Sequence, residues 1–314
     1  MRLFISQVSE LTEQVNDTIN RLTNNIPIII TTSGTTGKPK IVEKQVKLLP
    51  TNSINTDKWL LTFSPLKWSG VSVIKHVINT NGILCVPVSL TITNLIDCAY
   101  YNEVTHISIT PSLFKTILLN DINGNFKKCN LKQITFGGEV ASQSILDTAK
   151  QLFPTSNITH VYAQTELGDI CAVSDIFAGV PKYKFDKPNY SFNEDNELII
   201  DDINTQDIWK LENNRYYFIG RKQEIINVGG VKVSPIFVED TIMKLGIEFA
   251  KVYGIKNPML GNIVCLEYVG NIEIKELKDK LKLLLSRYEM PAKIIKKDNI
   301  KLSDANKLNR TIKE

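Results

Sequence analysis

The stretch "IPIIITTSGTTGKPK", Ile26–Lys40, decides how the rest of the chain is read. Its apolar run is short and rich in isoleucine, and turn-forming residues end it abruptly. That is the pattern of a buried strand and not of a helix. In the loop that follows, Gly34 and Gly37 allow successive backbone N–H groups to turn toward an anion. Ser33, Thr35 and Thr36 add hydroxyl donors, and Lys38 and Lys40 add positive charge. A polyanion is the natural occupant. The phosphate loop G-x-x-x-x-G-K-[ST] does not fit, because only two residues separate the glycines and Pro39 stands where a magnesium-binding hydroxyl belongs. The plain alternative is a surface loop rich in Ser, Thr and Gly.

Outward from this loop, the 314-residue chain is long enough to bury a substantial core and to form two domains. Hydrophobic residues make up 43% and charged residues 22%, ordinary values for a globular protein. The formal charge of +4 is mild and suits small anions better than nucleic acid. Cys85, Cys98, Cys129, Cys171 and Cys265 are odd in number and widely spread, with no C-x-x-C pair, which predicts free thiols in a reducing compartment. Charges come too early for a signal peptide, and no apolar run is long enough for a membrane span, so the expected location is cytoplasmic.

Along the chain, Ile5, Val8, Leu11, Val15, Ile19 and Leu22 recur at helical spacing and predict one amphipathic helix. Strand-like runs then alternate with helix-like ones. "IPIIITT", "KWLLTF", "ILCVPV", "THISIT", "KQITFG" and "ITHVY" read as strands; "SGVSVIKHVINT", "PSLFKTILL" and "SQSILDTAKQLF" read as helices. This alternation predicts α/β layers on a largely parallel sheet. After a Gly/Pro/Asn-rich passage, "NELIID" and "RYYFIG" suggest paired strands. From Arg221 onward come a turn-rich segment, a helix from Pro235, strands "FAKVYGI" and "NIVCLEYV", and a helix at "IKELKDKLKLLLSRY".

The segment Thr32–Lys40 resembles the hallmark [ST]-S-G-[ST]-T-G-x-P-K of the adenylate-forming superfamily: acyl-CoA synthetases, adenylation domains of peptide synthetases, and luciferases. Further motifs follow in the family's order. They are "GGE" at Gly137–Glu139, "YAQTE" at Tyr162–Glu166, "TQD" at Thr205–Asp207, "GRKQEIINVGGVKVSP" at Gly220–Pro235, and "LSDANKLNR" around Lys307. The resemblance covers about residues 26–310. It is similar to a short member lacking most of the usual N-terminal region, like compact succinylbenzoate–CoA ligase homologues. Ala163, Gln206 and Asn306 stand where the family pattern has glycine.

The resemblance implies an α/β fold of two parts: a large layered AMP-binding core domain at 1–221 and a small mobile α+β cap domain at 222–314. It implies ATP, Mg2+ and a CoA or phosphopantetheine thiol as ligands, with a carboxylic acid as substrate and an acyl carrier protein as an alternative thiol source. The loop Thr32, Ser33, Gly34, Thr35, Thr36, Gly37, Lys38 and Lys40 would bind the nucleotide, with Ser33–Lys38 holding pyrophosphate. Gly137, Gly138, Glu139 and Tyr162 would face the adenine, Thr165 the α-phosphate, and Glu166 the magnesium ion. Asp207 and Arg221 would hold the ribose. Lys307 would be the catalytic lysine, and the cap would turn about Gln223 to bring Gly229 and Gly230 against a pantetheine arm. Trp68, in "FSPLKWSG", stands where the family has an acyl-site aromatic or His; an ordinary core tryptophan is the alternative. His76, His106 and His160 have no metal-ligand spacing and read as structural. Transfer of the activated acyl group to an amine, or nucleotide binding without turnover, are the competing readings.

Overall fold

The computed structural model describes residues 2–5, 8–33, 39–51, 53, 55–303 and 306–313, with the backbone alone at 31–33 and 39–40. The predicted Gly34, Thr35, Thr36, Gly37 and Lys38 lie outside the described residues. The chain divides into two compact units. The first is Met1–Ala141, Ile145–Ile176 and Asp304–Lys307; the second is Ser142–Ser144, Phe177–Ser303 and Leu308–Glu314.

The first unit is built on a seven-stranded sheet of β1 (Arg2–Ile5), β4 (Lys58–Leu60), β5 (Ile83–Val86), β6 (His106–Ile109), β7 (Gln133–Gly137), β8 (Asn157–Gln164) and β9 (Gly168–Val173). Their order is β1-β5-β4-β6-β7-β8-β9. Every neighbouring pair is parallel except β8–β9. All four residues of β5 are buried, as a parallel strand covered on both faces requires. On one side α1 (Glu10–Thr23) and α2 (Trp68–Asn79) share a core with Trp59 and Leu84 of the sheet. Elsewhere in this unit α3 (Ile92–Tyr101), α4 (Pro111–Asn120) and, from Ile145 onward, α5 (Gln143–Leu152) follow strand ends. Phe114, Phe126, Phe136 and Phe153 meet edge to face there, with centroids 5.3–6.4 Å apart.

Two expectations are corrected. Ile5 and Val8 do not continue the helical stripe: Arg2–Ile5 is an edge strand with Phe4 opposite Cys85. The helix starts at Glu10 because the Ser9 hydroxyl accepts from Thr12 N and caps it. Nor does the run Ile26–Thr32 join the large sheet. β2 (Ile28–Ser33) and β3 (Pro39–Lys44) form a separate antiparallel pair, with Thr32 opposite Lys40. Ile28 and Ile30 are buried while Ile29 is exposed, so the run alternates and is covered on one face only.

The second unit contains two five-stranded sheets. One is antiparallel: β10 (Val180–Pro181), β11 (Tyr190–Phe192), β12 (Glu197–Ile200), β13 (Ile203–Glu212) and β14 (Arg215–Arg221), in the order β10-β14-β13-β12-β11. The runs "NELIID" and "RYYFIG" are therefore not partners of each other; both flank β13, which the sequence pattern did not reveal. The other sheet has β15 (Ile226–Val228), β16 (Val231–Val233), β17 (Phe249–Asn257), β18 (Gly261–Val269) and β19 (Lys293–Lys296). Its core includes residues of α6 (Pro235–Met243) and α7 (Ile274–Leu281). The predicted helix "IKELKDKLKLLLSRY" stops at Leu281. The sequence boundary at 221/222 falls between these two sheets.

In the first unit, the indole of Trp59 lies 4.7 Å from the His76 ring and 4.9 Å from the His106 ring. Burial holds both imidazoles below their ordinary value, against the opposing pull of Asp57. The unfolded chain therefore binds more protons than the folded one as pH falls below the ordinary histidine value. Stability is lost in that window and is unaffected by these groups above it. The melting temperature is expected to be lower at about pH 5.5 than at about pH 7.5. The drop should shrink in a His76→Gln/His106→Gln variant; an equal drop would assign it to other groups.

Candidate active site

Parallel pairing sends the carboxyl ends of β4, β6, β7 and β8 to one rim of the sheet, where open α/β sheets bind ligands. Four segments meet that rim. Thr62 follows β4 and Thr110 follows β6, while Gly137–Glu139 leaves β7 and Tyr162–Glu166 closes β8. Gly137 pairs with Val161, which brings the GGE turn beside Tyr162. A Cβ at Gly137 would meet open space. At Gly138, where φ is +79°, a Cβ would lie 2.8 Å from Cε of Lys307 and 3.3 Å from its Nζ. The positive φ favours glycine, and a side chain there would displace the flexible end of Lys307. Lys307 is half-buried in the first unit, and its side chain crosses the GGE turn. Glu139 faces the helix instead: its Oε2 accepts from Ser112 N at 3.0 Å, at the N-terminus of α4, which Thr110 also caps.

Thr165 and Glu166 occupy the turn between β8 and β9. The Thr165 carbonyl accepts from Lys44 Nζ at 3.0 Å, and the same ammonium sits 4.0 Å from the centroid of Trp68. Burial lowers the Lys44 pKa, while Asp169 and Glu166 act in the opposite direction. Sequence reasoning missed Lys44. The available signal was strand parity: Lys44 shares a face with the core-packed Val42, whereas Ile41 and Glu43 point to solvent. Trp68 itself opens α2 and packs partly on the core.

The remaining predicted residues lie in the second unit. Asp207 and Arg221 are direct cross-strand partners, with Nε 3.3 Å from Oδ1; the Asp207 side chain is 2% exposed and that of Arg221 46%. Thr205 Oγ1 accepts from Asp207 N and donates to the Leu198 carbonyl, which fixes the T-x-D bend. Gly229 and Gly230 form the turn between β15 and β16 with φ of +58° and +90°. A Cβ at Gly230 would meet nothing within 4 Å. Before Gln223, Lys222 Nζ lies 2.7 Å from Glu197 Oε1. After it, burial raises the Glu224 carboxyl against the pull of Arg310 and Arg221.

Two of the departures from the motif pattern are explained by backbone conformation. Gln206 has φ of +59° and Asn306 of +57°, the left-handed region in which glycine is at ease. The motif's bends are kept although the residues changed. Ala163 has no such conformation and needs no glycine.

The family model "AMP-binding enzyme" matches residues 6–193. The chain belongs to this family. Among curated relatives of this AMP-binding enzyme is a putative long chain fatty acid-CoA ligase VraA of Staphylococcus haemolyticus. It is 27% identical over 233 residues, which are 65% of this chain and 50% of the relative. The chain thus spans about half the length of that relative. Among solved structures, o-succinylbenzoate CoA synthetase (MenE) of Bacillus subtilis, in complex with an acyl-adenylate intermediate, superposes with TM-score 0.64 at 21% identity. That match covers 90% of this chain and 67% of the other. The amide bond synthetase McbA of Marinactinospora thermotolerans gives TM-score 0.69 at 15% identity and the same coverage. These likenesses establish the adenylate-forming fold.

The left-handed bend at Gln206 has a measurable cost. Gln206→Gly should leave stability within about 1 kcal/mol of the parent, because relief of strain offsets the added freedom of the unfolded chain. Gln206→Val should lose about 1–2 kcal/mol. Urea melts of both variants check this; equal stability of Val and Gly variants would contradict the bend.

Proposed function

We propose that this AMP-binding enzyme adenylates a carboxylic acid with ATP and transfers the acyl group to a thiol. The observation that supports it most directly is Lys307 lying across Gly138 at the carboxyl rim of the parallel sheet. A lysine in a tail is ordinarily a solvated one; here its ammonium end lies against the turn that the family places against adenine.

The residues fit the ligands by their chemistry. An open space beside Gly137 suits a flat base, the carboxylate oxygens of Asp207 are the acceptors that ribose hydroxyls need, and Glu166 offers a hard oxygen donor. A magnesium ion bound by Glu166 and the phosphates would supply neutralising charge. The main barrier is repulsion between a carboxylate and an anionic α-phosphate. Lys307 is the residue that would lie between the two anions and lower it, with pyrophosphate held by Ser33–Lys38 and the α-phosphate by Thr165. In the first half-reaction a carboxylate oxygen bonds to the α-phosphorus and pyrophosphate leaves. In the second a thiolate bonds to the acyl carbon and AMP leaves. The boundary at 221/222, with Gln223 as pivot, belongs to this proposal, as do CoA or a carrier-protein pantetheine as acceptor. The second reading, an amine acceptor, is favoured by the likeness to McbA, whose name is amide bond synthetase.

Pyrophosphate exchange across a panel of carboxylic acids tests the first half-reaction. Lys307→Ala should lower exchange on the order of a hundredfold or more. The same variant should leave thioester formation from supplied acyl-adenylate nearly intact. Glu166→Gln should lower exchange and raise the magnesium requirement. Equal loss in both half-reactions for Lys307→Ala would count against its assignment.

Gly230 separates the acceptors. Gly230→Leu places a side chain on a positive-φ turn, at a cost of about 1–3 kcal/mol. With a thiol acceptor, exchange should persist while thioester formation collapses. If amide formation from the same acyl-adenylate survives and no thioester forms even in the parent, the acceptor is an amine.

A further inference from the structure

The residue before Lys307 makes a side-chain contact that a glycine could not make. Asn306 Nδ2 donates to the carbonyl of Thr62 at 3.1 Å, beyond the carboxyl end of β4. Its own carbonyl accepts from Thr110 Oγ1 at 2.5 Å, beyond the end of β6. These three residues all belong to the first unit. Both anchors are themselves held. Thr62 is fully buried, and its hydroxyl donates to the Ser108 carbonyl. Thr110 is also fully buried and accepts from Leu113 N as the cap of α4. The φ of +57° at Asn306 allows its side chain and carbonyl to grip two strand ends at once, and asparagine tolerates that conformation better than most residues.

We propose that Asn306 is a positioning residue that seats the Asn306–Lys307 turn on the ends of β4 and β6 and so aims Lys307 across Gly138. The inference rests on the adenylation reading for its consequence, but the seat itself is a property of the chain. The glycine that the family pattern carries at this place would keep the bend and lose the side-chain bond to Thr62. Asn306→Gly therefore separates the grip from the backbone conformation. Asn306→Asp keeps the bend and the size but sets an acceptor against the Thr62 carbonyl.

The test has two arms. Hydrogen–deuterium exchange of the full chain, without ligand, reads the peptide spanning Asn306–Arg310. Both variants should exchange faster there than the parent, with unchanged melting temperature and unchanged exchange in β6 and β7. Exchange equal to that of the parent overturns the seat. In the second arm, pyrophosphate exchange with an active acid should fall about ten- to a hundredfold in both variants, the scale of a misplaced catalytic group. Thioester formation from supplied acyl-adenylate should not fall. A merely structural role would lower both half-reactions together, and that result, or unchanged pyrophosphate exchange, overturns the positioning role. If the parent adenylates no acid, the adenylation reading fails, while the first arm still decides the seat.

Discussion

Parallel strand pairing constrains this molecule before any side chain is considered. A parallel pair cannot be closed by a tight turn, so each strand must leave the sheet, cross over it and return in the same direction. β4, β6, β7 and β8 consequently end on a single rim. Thr62, Thr110, Gly138, Tyr162 and Glu166 are distant in sequence but share that rim because of the crossovers. The phenylalanine cluster around Phe114 keeps α4 against the sheet, and α4 in turn presents its capped N-terminus beside Glu139.

Backbone conformation, more than residue identity, carries the motifs. A left-handed residue costs a non-glycine side chain roughly 1–2 kcal/mol. The chain accepts that at Gln206 in the T-x-D bend, and at the lysine turn it places Asn306, a residue type for which the cost is smaller. At Gly138 a side chain would in addition displace the flexible end of Lys307. A side chain at Gly138 would therefore disturb the lysine as well as the backbone.

Charge is distributed by the same logic of burial. In the first unit the half-buried ammonium of Lys44 is kept by a carbonyl, an aromatic face and nearby carboxylates. In the second unit Arg310 forks onto Glu239 at 2.8–3.1 Å, and both side chains are largely buried. Glu239 Oε1 also accepts from Val252 N, so this carboxylate has little freedom left. Breaking such a pair leaves an uncompensated buried charge, at a cost of about 3–5 kcal/mol. The pair ties α6 to the chain's last residues and to β17.

Local sequence determined the features that depend on local physics. Strand and helix runs such as Ile83–Val86 and Pro111–Asn120 were legible from apolar periodicity and a Pro at the helix start. The turn glycines at 229 and 230 were legible because φ above zero selects glycine. The motif residues were legible because their types and spacing match the family's pattern. The tertiary structure alone decided matters that depend on what lies across space. Arg2–Ile5 has a short apolar pattern that suits a helix or a strand, and the free edge of β5 resolved it. β13 alternates weakly and is a strand because β12 and β14 flank it. Lys44 looks like any strand lysine until the Thr165 turn and Trp68 are brought to it, and Asn306 looks like a lost glycine until Thr62 and Thr110 are seen to hold it. Such contacts join residues up to 244 positions apart, and no window of sequence contains both partners.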